Sequence, residues 1–319
     1  MKTFAVFLLS CLAANCLAQS DYPKKPVQML VPLQAASAVD NAARIVAQRM
    51  SENMGQQIVV ENQPGAAGLM GTERVAKAAP DGYVIGGFND SIMTMLPNLH
   101  PKMPWDILKD FEPVSLVASI EWGFVAAPHS RFNTVADVIA AARARPGALN
   151  FSSGGNGSPQ HVAMELFKSQ AGIFMTHIPY RGATAAALDA ATGQVDVHLS
   201  GLPTVFGMIK GGRLKLIGVA SAQRLAQFPE VPTISESGLP GYRFNSFFAI
   251  TAPAGTPKEI IARLNAEVAK ATSAPDVRDK LVAQGFIVRA SSPEELARST
   301  REQLERYAKL FKQAGIKVD

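Results

Sequence analysis

The residues of this sequence that are best suited to chemistry are small and polar, and they gather in one glycine-rich stretch. Residues 150–168 read NFSSGGNGSPQHVAMELFK, in which Ser152 and Ser153 precede three glycines and Ser158 stands directly before Pro159. A serine followed by a proline is typical of a helix start, with the serine as N-cap. Main-chain amides freed by glycine, hydroxyl groups and the positive end of a helix dipole together form an anion site built from neutral groups. A plain loop with a well-capped helix explains the same residues, and this stretch alone does not decide between the two.

The residue types that catalysis or metal binding would need occur without a recognisable arrangement. The sequence holds neither an H-E-x-x-H nor a G-x-S-x-G motif, and no two of its histidines are four residues apart. The histidines are His100, His129, His161, His177 and His198. We therefore expect no metal, no cofactor and no catalytic activity. A secreted hydrolase that used Ser153 as nucleophile and His161 as base is a rival hypothesis, but packing or hydrogen bonding beside the loop explains His161 better.

Several conspicuous side chains have both a ligand-binding and a structural interpretation. Arg181 follows a predicted strand and could face a carboxylate. Asp40 could accept a hydrogen bond from a ligand, but capping the helix that it begins is the stronger expectation. Trp122, Phe247 and Phe248 could wall a pocket, although aromatic residues on strands more often belong to the core.

Length and composition indicate a globular protein of one large or two medium domains. The chain has 319 residues, of which 47% are hydrophobic and 18% charged, and its formal net charge of +5 is spread along the sequence. No run of Lys or Arg is dense enough to follow a phosphate backbone, so nucleic acid is not an expected partner.

The first 18 residues have the features of a secretory signal peptide. A lysine precedes an apolar run over residues 4–14, and Cys16-Leu17-Ala18 supplies small residues before a cleavage site. The run is too short to span a bilayer, which takes about 20 apolar residues. Cys11 and Cys16 are the two cysteines of the sequence, so the exported chain is expected to lack disulfides and thiol chemistry. Lipid attachment at Cys16 is the alternative, but Asn15 stands where a small residue is expected.

Two similar runs of alternating strands and helices position the polar loops. Strands are predicted over residues 27–32, 58–61 and 83–88 in the first run, and over residues 149–151, 177–180, 195–199 and 214–220 in the second. This alternation is typical of right-handed parallel βαβ units. Ligands of such sheets lie beyond the carboxyl ends of the strands. Those ends are residues 33–40 and 89–91 in the first run and residues 152–158, 181–184 and 200–201 in the second.

The chain is expected to cross twice between two lobes. Residues 114–127 and 241–252 read as extended, apolar crossing segments. After the second crossing the pattern predicts only helices, the last of them capped by Ser292 and Glu295 and ending at Gly315. A helical tail of this kind would pack back on the first lobe and make it discontinuous in sequence. The predicted division is residues 1–18 as signal peptide, residues 19–121 and 245–319 as lobe 1, and residues 122–244 as lobe 2.

Taken in order, these segments resemble one protein family over almost all of the chain that follows residue 18. The segments include VVENQPGAAGLMGTERVAKAAPDGY, SSGGNGSPQHVAMELFK, HIPYRGATAAALDAATGQVD and TAPAGTPKEIIARLNAEV. The chain resembles the substrate-binding receptors of tripartite tricarboxylate transporters, the periplasmic family called Bug proteins. The resemblance implies an α/β, two-lobed type II periplasmic binding protein of the Venus-flytrap kind, with a hinge of two crossing strands. It also implies closure on a small organic carboxylate and delivery to the permease subunits of a membrane transporter.

By the same resemblance, main-chain groups and ordered waters at two facing loops hold the ligand carboxylate. The residues expected to bind the ligand are Leu33, Gln34, Ala36, Ser37 and Asp40 in the first loop, Ser152, Ser153, Gly154, Asn156 and Ser158 in the second, and Asn89, Asp90, Ser91, Arg181, Ala183, Ser200 and Phe247 around them. Neutral dipoles suit a receptor that must release its ligand, because a buried arginine is costly to desolvate and would hold an acid tightly.

Two departures from the family pattern bear on the ligand. Ala36-Ser37-Ala38 stands where the family has a glycine-rich turn, and each added Cβ restricts how closely the backbone can approach a ligand. Ser200-Gly201 replaces an Asp-Asn pair and so removes an acidic group that could recognise a donor. We therefore expect the ligand not to be an amino acid.

The sequence thus predicts an exported, monomeric, cofactor-free solute receptor in the periplasm. A rival hypothesis is that the liganded receptor acts as the sensory partner of a membrane histidine kinase. A cytoplasmic transcription-factor effector domain would share the predicted fold, but the signal peptide and the missing DNA-binding helices oppose it.

Overall fold

The computed structural model describes residues 22–100 and 102–314. The strands are β1 (Val27–Val31), β2 (Ile58–Asn62), β3 (Val84–Asn89), β4 (Phe111–Ile120), β5 (Trp122–Ala126), β6 (Asn150–Ser153), β7 (Thr176–Pro179), β8 (Val197–Gly201), β9 (Lys215–Val219), β10 (Ser246–Pro253) and β11 (Phe286–Val288). The helices are α1 (Ala38–Met54), α2 (Leu69–Ala76), α3 (Leu96–Leu99), α4 (Val135–Ala144), α5 (Pro159–Ala171), α6 (Ala183–Thr192), α7 (Leu202–Lys210), α8 (Lys258–Ser273), α9 (Pro275–Ala283) and α10 (Pro293–Ala314). A short 3₁₀ turn (Ala66–Gly68) precedes α2, and a π-helical turn (Ser91–Met95) precedes α3.

The strands form two sheets of six and five strands. The six-stranded sheet has the order β11-β4-β10-β3-β1-β2, with β1 parallel to both β2 and β3. The five-stranded sheet has the order β7-β6-β8-β5-β9, with β6 parallel to both β7 and β8. Each sheet therefore contains the predicted parallel βαβ core, and each is completed by antiparallel strands that come from elsewhere in the chain.

The chain crosses between the sheets at two places that lie side by side. Glu121 alone separates β4 of one sheet from β5 of the other, and the chain returns where β10 begins at Ser246. The indole Nε1 of Trp122 donates to Ser246 Oγ at 2.8 Å and joins the two crossings. The six-stranded sheet thus contains β1–β4, β10 and β11, and the five-stranded sheet contains β5–β9, while the bounds of the two lobes stay a prediction.

Helical periodicity places the helices against the sheets. In α1 the buried residues Ala42, Val46 and Met50 recur every four positions and share one face. That face belongs to the core that also contains β1 and β3, and α8 of the C-terminal region packs beside α1. The tail after β10 therefore packs against the six-stranded sheet and α1. Within the described part of the chain, no helix is long and apolar enough to cross a membrane.

Local hydrogen bonds confirm some predicted helix starts and correct one. Thr134 caps α4, and the capping box that Ser292 and Glu295 form before α10 is present, with both reciprocal bonds at 3.1–3.2 Å. The prediction that Asp40 begins α1 is wrong, because Ser37 is the N-cap and its Oγ accepts from Asp40 N. Asp40 lies inside the first turn of that helix.

Two further predictions about the elements need correction. The tail is not purely helical, since β11 pairs antiparallel with β4 at three positions, Phe286, Ile287 and Val288. The first crossing segment, predicted over residues 114–127, begins earlier than expected, because β4 starts at Phe111. The signal peptide, both cysteines and the predicted helix end at Gly315 lie outside the described residues.

Candidate functional site

A narrow cleft of about 70 Å³ lies where the loops of the two sheets face each other. From the six-stranded side it is lined by Leu33, Gln34, Ser37, Ala38, Val39, Ala67, Asn89, Ser91, Ile120 and Ser246. From the five-stranded side it is lined by Trp122, Gly154, Ser158, Pro159, Gln160, Gly182, Ala183, Gly201 and Thr204. These lining residues include no Lys, Arg, Asp or Glu, so recognition in the cleft depends on neutral dipoles and apolar contacts.

Four helices begin at this cleft. They are α1, α5, α6 and α7, which start at Ala38, Pro159, Ala183 and Leu202. Ser37 and Ser158 each accept a hydrogen bond from the third residue of their helix, whereas the N-caps Gly182 and Gly201 have no side chain that could do so. Because each helix start carries partial positive charge and unpaired N–H groups, the convergence favours an anion.

Close backbone approach explains the glycines of the second loop. A Cβ built on Gly154 would lie 2.9 Å from the main-chain nitrogen of Ala183, a distance that real Cβ atoms do not show. Gly182 has φ 133°, and a Cβ there would lie 2.3 Å from the side chain of Gln34 in the other lobe. Glycine at these two positions lets the loops of the two lobes meet around the helix starts.

Hydrogen bonds across the cleft hold the two lobes in a closed arrangement. Ser91 Oγ donates to Gly157 O at 2.7 Å, and Thr184 Oγ1 donates to Ala35 O at 3.1 Å. Near the hinge, Ala38 N donates to Thr204 Oγ1 at 3.0 Å and Asn41 Nδ2 donates to Pro203 O at 3.2 Å. Residues of both predicted ligand-binding loops and of α7 thus take part in these bonds.

The first loop is held by an internal carboxylate. Ala36 has φ 59°, so an alanine adopts here the left-handed conformation that favours glycine. Its N–H donates to Asp40 Oδ2 at 2.8 Å, while Asp40 Oδ1 accepts from Arg44 Nε at 3.0 Å and Asn62 Nδ2 at 2.9 Å. Asp40 therefore shapes the loop and does not line the cleft. The Cβ of Ala36 adds backbone strain rather than a barrier inside the cleft, because Ala36 is exposed and outside the lining.

Asp90 and Ser200 lie behind the lining rather than in it. Both are fully buried, and Ser200 Oγ and both carboxyl oxygens of Asp90 have no hydrogen-bond partner of normal geometry. Burial raises the pKa of Asp90 well above its usual range, and the main-chain N–H groups of Ser91 and Phe247 oppose this only in part. Asp90 is thus favoured in its neutral form.

The hydroxyls of Ser152 and Ser153 pair with histidines beneath the second loop. Ser153 Oγ lies 2.6 Å from His177 Nε2, and Ser152 Oγ lies 3.0 Å from His198 Nδ1. His161 points elsewhere: its Nδ1 accepts from Gly157 N at 3.2 Å, and its ring stacks on that of His177 at 4.2 Å. The proposed pairing of Ser153 with His161 in a hydrolase is therefore wrong, and both serines are buried outside the cleft lining.

Burial also sets the protonation of these histidines. Desolvation lowers the pKa of His177 to about 4, with His161 and Lys168 acting in the same direction and Glu165 opposing them. Desolvation likewise lowers the pKa of His198 to about 4, although its bond to the Ser152 carbonyl opposes the shift. At neutral pH the rings of His177 and His198 are therefore uncharged and hydrogen-bond the two serines at the start of the second loop.

The sequence also matches the profile of a known family. Residues 42–316 match the family described as "Tripartite tricarboxylate transporter family receptor". The chain belongs to this family. Its members are substrate-binding receptors rather than enzymes, and they include Bug proteins, as the resemblance in sequence indicated. Within residues 22–100 and 102–314, no three His, Cys, Asp or Glu side chains are grouped so that they could hold a metal ion.

Individual relatives cover nearly the full chain. A UPF0065 protein from the tcbD-tcbE intergenic region of Pseudomonas sp. (strain P51) is 38% identical over 291 residues, 91% of this chain and 86% of the relative. Protein BugT from Bordetella pertussis is 31% identical over 319 residues, 100% of this chain and 98% of BugT.

Solved structures confirm the α/β two-lobed periplasmic binding protein fold. Rpa4515 from R. palustris, solved with adipate, has a TM-score of 0.90 at 32% identity and covers 93% of this chain and 99% of its own. MatC (Rpa3494) from Rhodopseudomonas palustris, solved with malate, has a TM-score of 0.86 at 29% identity and covers 90% of this chain and 99% of its own.

The receptor brings only part of the predicted ligand set into the cleft. Those that line it are Leu33, Gln34, Ser37, Asn89, Ser91, Gly154, Ser158 and Ala183. Outside the lining lie Ala36, Asp40, Asp90, Asn156, Ser152, Ser153, Arg181, Ser200 and Phe247. Arg181 and Asn156 are exposed, and Phe247 packs in the core with Phe88 and Trp105.

Sequence reasoning placed Gly201 at a strand end where ligands bind, but it missed the lining residues Ile120 and Ser246 at the hinge. Ile120 ends β4, Gly201 ends β8, and Ser246 begins β10, and these positions meet only because the crossings pair in the sheets. Trp122, for which the sequence allows a pocket wall or a core position, is both buried and part of the lining. Only the position of these residues at strand ends beside the predicted crossings could have indicated from sequence that they line the cleft.

A larger depression elsewhere on the receptor is a poorer candidate for the site. It has a volume of about 690 Å³ and is lined by Gln48, Ser51, Glu52 and Gly55 at the end of α1. A helix C-terminus carries partial negative charge and presents carbonyl groups. Arg44 also lines this depression, but its guanidinium already donates to Asp40 and Asn62, so the surface is a poorer site for an organic acid.

Proposed function

We propose that this chain is a periplasmic receptor that binds a small organic carboxylate between its two lobes. The observation that carries the proposal is the convergence of four helix starts on a cleft whose lining has no charged side chain. N–H groups at helix starts attract a carboxylate, and they release it more readily than a buried arginine would. Two members of the family with the same fold were solved with adipate and with malate, which supports an organic acid as the ligand class.

The receptor's partner under this proposal is the permease of a tripartite tricarboxylate-type transporter. Family membership supports such a partner. The signal-peptide pattern of residues 1–18 supports export to the periplasm, where the receptor would act as a monomer that captures the acid and presents its closed form to the permease.

The test is to identify the acid and measure its binding. The purified receptor is examined by native mass spectrometry for a co-purifying acid and then screened against organic acids by thermal shift. A carboxylate that binds the folded protein only should stabilise it by about 2.7 kcal/mol at a concentration one hundred times its Kd. The proposal fails if no carboxylate raises the melting temperature while a neutral solute, such as a sugar, does.

A further inference from the structure

The two ends of the cleft differ in chemistry. At the loop end, defined by Gly154, Gly182 and Ala183, glycine N-caps and short distances bring main-chain groups together. At the hinge end, defined by Gly201, Ile120 and Trp122, a Cβ built on Gly201 would lie 2.9 Å from Ile120 Cγ2 and 3.9 Å from Trp122 Nε1. The loop end is therefore walled by backbone dipoles, and the hinge end by apolar side chains.

The helix start nearest the hinge end has no free N–H group at its first two positions. In α7, Leu202 N donates to Glu121 O at 2.8 Å, and the next residue, Pro203, has no N–H. The Ala38 amide at the start of α1 donates to Thr204 Oγ1 at 3.0 Å. The first two positions of α7 and the first position of α1 therefore offer a ligand no free N–H group.

The remaining polar groups of the hinge end also satisfy one another. Trp122 Nε1 donates to Ser246 Oγ at 2.8 Å, and the indole ring makes an edge contact with Phe244 at 4.8 Å between centroids. Glu121, which precedes Trp122, lies outside the lining, and its charge interacts with that of Arg289. The indole is thus held as a fixed apolar wall, with no cation beside it in the lining.

From this asymmetry we propose that the receptor takes monocarboxylates with an apolar body, of which benzoate is a simple example, in preference to dicarboxylates. The inference rests on the proposed function and narrows its ligand class. The carboxylate lies at the loop end among the starts of α5 and α6, and the apolar body lies at the hinge end against Ile120 and Trp122. A second carboxylate at the hinge end would lose its water against apolar side chains without gaining a cation, which is costly.

Gly201 controls the room for that body. Its φ of −56° is open to any L-residue, so an added methyl group strains no backbone angle, but it would lie 2.9 Å from Ile120 Cγ2 and so forces the Ile120 side chain to shift. The methyl group would enter the hinge end beside Ile120. Gly207 lies on α7, the helix that Gly201 caps, and a Cβ built on it would have nothing within 4 Å, so Gly207→Ala is a matched control.

The experiment is isothermal titration calorimetry with benzoate, cyclohexanecarboxylate, adipate and malate. For the native sequence we expect the two monocarboxylates to bind at least about tenfold more tightly than the two dicarboxylates. Gly201→Ala should weaken benzoate binding about tenfold, whereas Gly207→Ala should leave every Kd unchanged. Melting temperatures measured in parallel show whether each variant is folded.

The outcomes separate this inference from the broader proposal. If adipate or malate binds as tightly as benzoate, the monocarboxylate inference is overturned and the carboxylate receptor stands. If Gly201→Ala folds and binds benzoate as the native protein does, the placement of the apolar body beside Gly201 is overturned. If no acid binds and a neutral solute does, the proposed function itself fails.

Discussion

The buried Asp90 carboxyl group couples the stability of the receptor to pH. Its pKa is raised by burial, so the folded protein keeps a proton that the unfolded chain loses above about pH 4. Stability from this group is fully present below that pH and is lost as pH rises toward the folded pKa. Asp90→Asn should therefore stabilise the protein by an amount that grows between pH 5 and pH 8, reaching about 1–3 kcal/mol.

Urea unfolding at pH 5 and pH 8 measures this effect. Asp279→Asn is the control, because Asp279 is exposed. A stability difference between Asp90→Asn and the native protein that is the same at both pH values would contradict the prediction, since the exchange would then act through packing alone.

His198 should produce the opposite dependence on pH. Its folded pKa of about 4 lies below the ordinary histidine value, so the unfolded chain takes up a proton between about pH 6.5 and pH 4 that the folded protein does not. Stability from the neutral ring is present above that window and falls with pH through it, by about 1–2 kcal/mol between pH 6.5 and pH 5. His198→Asn should flatten this slope in denaturant titrations, while His129→Asn, at an exposed position, should preserve it.

Two helix caps allow the structural and binding roles of a helix start to be separated. Ser158 Oγ caps α5 at the cleft, and Thr134 caps α4 away from it. Ser158→Ala and Thr134→Ala should each cost about 1 kcal/mol of stability, because each removes one cap hydrogen bond. Ser158→Ala should in addition weaken benzoate binding in calorimetry, and Thr134→Ala should not. Equal affinities in the two variants would argue against a carboxylate at the start of α5.

Local patterns predicted most elements because their signals lie within a few residues. The Ser292 to Glu295 capping box and the Ser158-Pro159 start are of this kind. The N-cap of α1 was placed three residues too late because Ser37 and Asp40 are both good N-cap residues. Ser37 Oγ accepts from Asp40 N, and the Asp40 carboxylate accepts from Ala36 N. The strand β11 was missed because its three residues are held by pairing with the remote β4.

The site was predictable where strand ends meet helix starts and not where the crossings meet. Ser37, Ser91, Gly154 and Ser158 follow from the rule that ligands lie beyond the carboxyl ends of parallel strands. The hinge end depends on pairing between remote segments, such as Trp122 with Gly201, which no local pattern reports. Adjacent residues can also differ, since Asn89 lines the cleft and Asp90 lies outside the lining, although both are buried.

Closure of the two lobes should depend on a small number of hydrogen bonds. One of them is the 2.7 Å bond from Ser91 Oγ in the first lobe to Gly157 O in the loop of the second lobe. Ser91→Ala removes that bond, which at about 1 kcal/mol would shift the balance between closed and open forms about fivefold toward open. Thr94→Val is the matched control, because Thr94 Oγ1 donates to Asp90 O at 2.7 Å in the same π-helical turn but within one lobe.

Small-angle X-ray scattering on the three proteins distinguishes closure from folding. We expect a larger radius of gyration for Ser91→Ala than for the native protein and for Thr94→Val, and a weaker affinity for benzoate in Ser91→Ala alone. Both variants should lose similar stability, since each loses one buried hydroxyl bond. If Thr94→Val opens the receptor as much as Ser91→Ala does, the effect comes from the π-helical turn, and the bond across the cleft does not control closure.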